Sequence, residues 1–150
     1  MRYFLDTEYD GFGGRLISLA LVPEDGGDEL YLVIAGEVTH PWVIRNVVPF
    51  LDHVPEAHRG PHLSRDAAGG ALAHWLAGDP APEIIADWPE DLSQIAMLIV
   101  TGPGEIHRVP PLTLRYLPLP GFSTARNSAV PHNALHDARA LRDHFSNLLD

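Results

Sequence analysis

The chain predicts an α/β fold: a mixed β-sheet, with three antiparallel strands first and parallel additions after them, and helices on both faces. Three observations predict it. Apolar, strand-like runs follow one another closely over the first 34 residues, joined by short turns rich in Gly and Asp. Helical periods then alternate with short apolar runs. The last segment carries the clearest helical stripe in the chain.

Arg2 to Glu8 (RYFLDTE) reads as the first strand. Arg15 to Val22 (RLISLALV) is almost continuously apolar, as a central strand buried on both faces would be. Glu29 to Ile34 (ELYLVI) is the third. Their connections, DGFGG and PEDGGD, are too short for crossovers, so the three strands form an antiparallel meander. Pro41 to Leu51 predicts a short helix with Pro in its first turn, ended or kinked at Pro49. Ser64 to Leu76 predicts another, N-capped by Ser64, with Ala67, Ala71, Leu72 and Trp75 on one side. Glu83 to Ala86 (EIIA) is a short buried strand, and Pro89 to Val100 a helix. Residues 101–131 hold many prolines; one strand is expected in LTLRYL and the rest reads as a long functional loop. Asn133 to Leu149 is the final helix, with Leu135, Ala138, Leu141, Phe145 and Leu148 as its apolar stripe.

The chain's 150 residues suit a single domain. The absence of cysteine excludes disulfides, zinc–thiolate sites and cysteine nucleophiles. The first strand starts at Arg2, and no apolar run reaches bilayer length, so a cytoplasmic protein with no membrane partner is expected. The formal net charge is −10, and every basic residue besides the histidines is Arg. Such a chain is a poor general coat for nucleic acid. It can still hold a short strand end, with metal ions supplying positive charge and a few Arg side chains gripping phosphates.

Three regions carry chemistry. On a strand, Asp6 and Glu8 point the same way, roughly 7 Å apart at Cα, on the face that also carries Phe4. Two acids there repel each other and lose hydration, and a divalent cation relieves both costs. An exposed, solvated strand end explains the pair equally well. In the second region, Asp87-Trp88-Pro89-Glu90-Asp91, Asp87 and Glu90 have capping-box spacing. Asp91 lies one residue further and is free to serve as a metal ligand; should Asp87 not cap the helix, Asp87 becomes the better candidate. The third region is His132-Asn133-Ala134-Leu135-His136-Asp137. Asn133 is an N-cap candidate, and Asp137 then flanks the apolar stripe, where an acid needs a partner or a metal. His132 lies just outside the helix and suits a general base. His136 points about 100° away from Asp137 and reads as peripheral. Oxygen-only ligands select Mg²⁺ or Mn²⁺, and two such ions about 4 Å apart can activate water for phosphodiester cleavage.

At these residues the chain resembles the DEDDh 3′–5′ exonucleases of the ribonuclease-H-like superfamily. DTE at residues 6–8 matches their first motif, WPEDLSQIAML from Trp88 their second, and HNALHDA at residues 132–138 their third. The second departs from the family pattern, because Asp87 stands where an Asn is usual. The opening RYFLDTEYD followed by LISLALV is most similar to the mycobacterial RNase AS-type exoribonucleases, and more distantly to RNase T and oligoribonuclease. The resemblance implies a ribonuclease-H-like sheet and a homodimer that acts on single-stranded RNA 3′ ends or short oligonucleotides, with two divalent ions, Mg²⁺ or Mn²⁺. It implies that Asp6 bridges the ions, Glu8 and Asp137 complete one site, Asp91 serves the second, and His132 deprotonates the attacking water. By the same resemblance Tyr9 and Phe12 hold the terminal nucleotide, with Leu16 as an apolar wall and Trp88 nearby; core packing is the other reading of Tyr9 and Phe12. Trp42, Trp75 and Trp88 are expected mainly in the core, with Trp88 the nearest of them to the site. Arg115, Arg126 and Arg139 are either phosphate contacts or surface ion pairs. A DNA 3′-exonuclease, a hydrolase of dinucleotides and a catalytically inactive RNA-end binder are the competing functions.

Overall fold

The structure, a computed structural model, describes residues 1–149. Its centre is a five-stranded mixed sheet of order β3-β2-β1-β4-β7. Strands β1 (Arg2–Tyr9), β2 (Leu16–Pro23) and β3 (Leu30–Val33) form the antiparallel meander the short turns require. Strand β4 (Glu83–Ala86) adds parallel to β1, and β7 (Thr113–Tyr116) adds parallel to β4. Every residue of β2 is buried, as its unbroken apolar run predicts.

Helices cover both faces. On one, α2 (Arg65–Leu76) and α3 (Pro89–Ile99) pack Leu72, Leu76, Ile95 and Leu98 on Leu5, Leu19 and Ile84. On the other, α5 (Ala134–Leu149) lays Ala134, Leu135 and Ala138 on Ala20 and Val22, and Leu141 on Phe4 and Ile85. Beside it, α1 (Pro41–Asn46) seats Val43 against Ile17 and Val33. Strand alternation therefore sends Phe4, Asp6 and Glu8 toward α5, and Tyr3, Leu5 and Thr7 toward α3.

Several boundaries differ from expectation. The helix from Pro41 ends at Asn46, and a 3₁₀ turn, Val48–Phe50, follows. Pro49 lacks the N–H that a continuing helix needs. In α2, Ser64 accepts the Ala67 N–H at 3.2 Å as expected. Its buried face, however, is Ala68, Leu72, Ala73 and Leu76, so Ala67 is exposed and Trp75 lies at the edge, against Tyr3. The stripe of α5 holds through Phe145, whose ring packs on Phe4, whereas Leu148 is exposed. The stretch 101–131 is more structured than a loop. The strands β5 (Val100–Gly102) and β6 (Glu105–Ile106) make a hairpin, β7 lies on LTLRYL, and α4 (Thr124–Asn127) is a single turn.

Candidate metal centre

The C-terminal half of β1 and the N-terminus of α5 build the centre. Asn133 fixes the helix start: its Oδ1 accepts the N–H groups of Leu135 and His136, at 3.1 and 3.3 Å, and its amide donates to the Phe50 carbonyl at 2.8 Å. Immediately before it, His132 adopts a left-handed backbone, φ 66°. That turn aims its N–H at Asp137 Oδ2, 3.1 Å away, and swings the imidazole toward β1. Glu8, His132 and Asp137 consequently each offer a ligand atom within 4.8 Å of one another.

Asp6 stands beside this trio. Burial, then the charges of Asp137, Asp91, Glu8 and Asp87 in that order, push its carboxyl far above the usual range. Glu8 is pushed well up by burial, then by Asp137 and Asp91. Burial likewise moves Asp137 to about 7. Asp6 Oδ2 and Asp137 Oδ1 are closed off from solvent and have no hydrogen-bond partner. Bare carboxylates could not share this space at neutral pH without protons or a cation.

Asp91 reaches the site from the opposite face of the sheet. It is 4% exposed, and its Oδ1 accepts a short hydrogen bond from the Thr7 hydroxyl. Burial raises it to about 7. The capping box expected of Asp87 and Glu90 does not form. Helix α3 starts at Pro89 as expected, but with Trp88 at the cap position and no side-chain cap. Glu90 instead accepts the Gly13 N–H at 3.0 Å, tying α3 to the glycine-rich turn after β1. Asp87 is thus free of a cap, the condition under which the sequence argument makes it the better candidate; Asp91 is the more buried of the two, and the charges of both act on Asp6.

An aromatic cleft of about 350 Å³ opens beside Glu8, lined by Tyr9, Phe12, His40, Trp42 and Trp88 among others. Phe12 is 98% exposed at the tip of a turn that needs glycine on either side, since Gly11 and Gly13 have φ of 73° and 70°. Asp10 pins the facing wall, accepting from the N–H groups of His40 (2.8 Å) and Thr39 (2.9 Å). Two expectations are corrected here. Leu16 is not a wall of the cleft: paired with Tyr9 across a bulge, it is fully buried in the core. Trp42 and Trp88 are not core residues: both are about half exposed, and the Trp42 ring meets the His132 imidazole edge-on, with centroids 4.9 Å apart.

The arginine candidates are engaged elsewhere. Arg139 pairs with Glu29 at 2.6 Å, Arg115 with Glu83 at 3.3 Å, and Arg126 donates to the Gly121 carbonyl. Sequence reasoning missed Arg15 and Arg65, which line a second hollow that shares Phe12 and Glu90 with the cleft. It also missed His40 and Trp42, whose only signal was their proximity to the helix-starting Pro41. His136 is peripheral, with Nε2 at 2.8 Å from the His53 carbonyl.

Hard oxygen donors, two of them orphaned and buried, with one imidazole at the rim, fit a divalent ion such as Mg²⁺ or Mn²⁺. No protein-family model matches the chain, and no curated protein matches it. Among the described residues, no helix is long and apolar enough to cross a membrane.

Proposed function

We propose that the protein is a metal-dependent 3′–5′ exonuclease of ribonuclease-H-like fold, acting on the 3′ ends of single-stranded RNA or short oligonucleotides and releasing nucleoside monophosphates. One observation carries the reading: buried oxygens of Asp6 and Asp137 without partners belong to one acid cluster with Glu8 and His132, and Glu8 also lines an aromatic cleft. The mixed sheet, with its meander first and parallel strands after, supports the fold assignment. A cytoplasmic homodimer belongs to the same proposal.

Asp6, Glu8 and Asp137 would hold one ion, and Asp6 with Asp91 a second. When bound, such ions lower the pKa of water and neutralise charge on the phosphate and the leaving oxygen. The protein's own groups do the rest. His132 is kept below its ordinary pKa by burial, so its imidazole is neutral near pH 7 and able to take a proton from the attacking water. Tyr9, Phe12 and Trp88 offer aromatic faces for the terminal base. A net charge of −10 and arginines committed to internal partners favour a short substrate over a long one.

The test uses 5′-labelled RNA, DNA of matched sequence and a dinucleotide, each with Mn²⁺ or Mg²⁺. Stepwise shortening from the 3′ end, stopped by EDTA, is expected, with RNA preferred. Protein that binds Mn²⁺ by calorimetry yet leaves all three substrates intact would overturn the reading.

A further inference from the structure

We infer that Trp42 is the positioning residue of His132, holding the imidazole in the direction its proton transfer requires; this rests on the exonuclease reading for its kinetic part only. A general base works when a third group orients it. His132 has no polar group in that role. Its backbone N–H is committed to Asp137, and among the described residues the structure gives its ring no hydrogen-bond partner. What the ring does meet is Trp42, with centroids 4.9 Å apart and planes at 81°. That edge-to-face geometry is the favourable one for an aromatic pair.

Trp42 is itself firmly placed. It lies in the first turn of α1, after Pro41, whose ring presets the backbone. The next residue, Val43, is buried against β2 and β3. One residue before Pro41, the His40 N–H is held by Asp10, and Asp10 directly follows Tyr9 at the end of β1. A line of fixed contacts thus runs from β1 through Asp10 and the start of α1 to the indole, and from the indole to His132. This explains why a half-exposed tryptophan stands where it adds little to the core. It also gives Trp42 two duties, because the same side chain walls the aromatic cleft.

Two measurements test this. The first needs no turnover: NMR of ¹³C,¹⁵N-histidine-labelled, metal-free protein. The parent should show Overhauser effects between the Trp42 and His132 rings. In Trp42→Met, which keeps apolar bulk, the His132 ring should lose order; Trp42→Phe should restore it. An unchanged His132 ring in Trp42→Met overturns the inference. The second is kinetic, with Mn²⁺ and labelled RNA. Trp42→Met should lower kcat roughly ten- to a hundredfold, as a slight misplacement of a reacting group does, and Trp42→Phe should recover most of that loss. In a His132→Ala background, Trp42→Met should lower kcat by far less than it does in the parent. An equal loss of kcat in that background would show that Trp42 acts on substrate alone and would overturn the positioning role. A parent with no activity refutes the exonuclease reading and leaves the NMR arm to decide on Trp42.

Discussion

The Thr7 hydroxyl donates to Asp91 Oδ1, joining the residue between Asp6 and Glu8 to the first turn of a helix 84 positions further along the chain. This bond anchors the Asp91 carboxylate to β1. Thr7→Val keeps the shape of the side chain and removes the donor. It should cost about 1–3 kcal/mol of stability in the metal-free protein, the range for leaving a buried acceptor unpaired. It should also weaken Mn²⁺ binding. Chemical denaturation and calorimetry check the two effects, and unchanged metal affinity would mean that Asp91 does not depend on Thr7 for its position.

The raised carboxyls make the metal-free protein pH-sensitive. Asp91 and Asp137 move from 3.8 to about 7 on folding, so between these values the folded state holds protons that the unfolded chain has lost. Stability from these groups is fully present below the unfolded value and is lost as pH rises through about 7. Glu29, Glu83 and Asp79, held low by their partners, work in the opposite direction, so the informative quantity is the difference between parent and variant. Asp91→Asn should gain on the parent in melting temperature as pH rises from 5 to 8, in EDTA. Added Mn²⁺ at pH 8 should stabilise the parent by mass action and the variant less.

Asp6→Asn removes the charge most crowded by other acids. The expected result is a higher melting temperature without metal, weaker metal binding and no nuclease activity. A variant that cleaves RNA as fast as the parent would dismiss Asp6 as a ligand.

His132 combines a catalytic assignment with a backbone conformation better suited to glycine. His132→Gly should lower the rate by about 10²–10⁴, the usual contribution of a general base. It should also release backbone strain of about 1 kcal/mol, because a non-glycine residue in the left-handed region is disfavoured. Loss of activity together with an equal or higher denaturation midpoint is the signature to seek.

The pattern of apolar residues made the sheet readable. The unbroken run of β2, the glycine-rich turns and the stripe of α5 each reflect burial that a sequence cannot avoid displaying. Asp6, Glu8 and Asp137 were readable for the same reason, since strand alternation and a helix flank fix their directions. Leu16 was misread because its role depends on the bulge opposite Tyr9, which leaves no trace in composition. The cap of α3, not its start, was misread, because two acids with capping spacing looked like a capping box, whereas Glu90 is drawn to Gly13. Trp42 was placed in the core because tryptophans are mostly buried, and only its contact with His132 gives the position a purpose.

The acids come from three layers: Asp91 from the helix on one face of the sheet, Asp6 from the sheet, and Asp137 from the helix on the other. A cation shared among them would act as a rivet through the whole sandwich, fastening chain positions far apart in sequence at one point. Its removal should be felt well beyond the cleft. Amide protons where β1 meets α5 should exchange faster in the chelated protein, while the β5–β6 hairpin, beyond the end of α3 remote from Asp91, should change less.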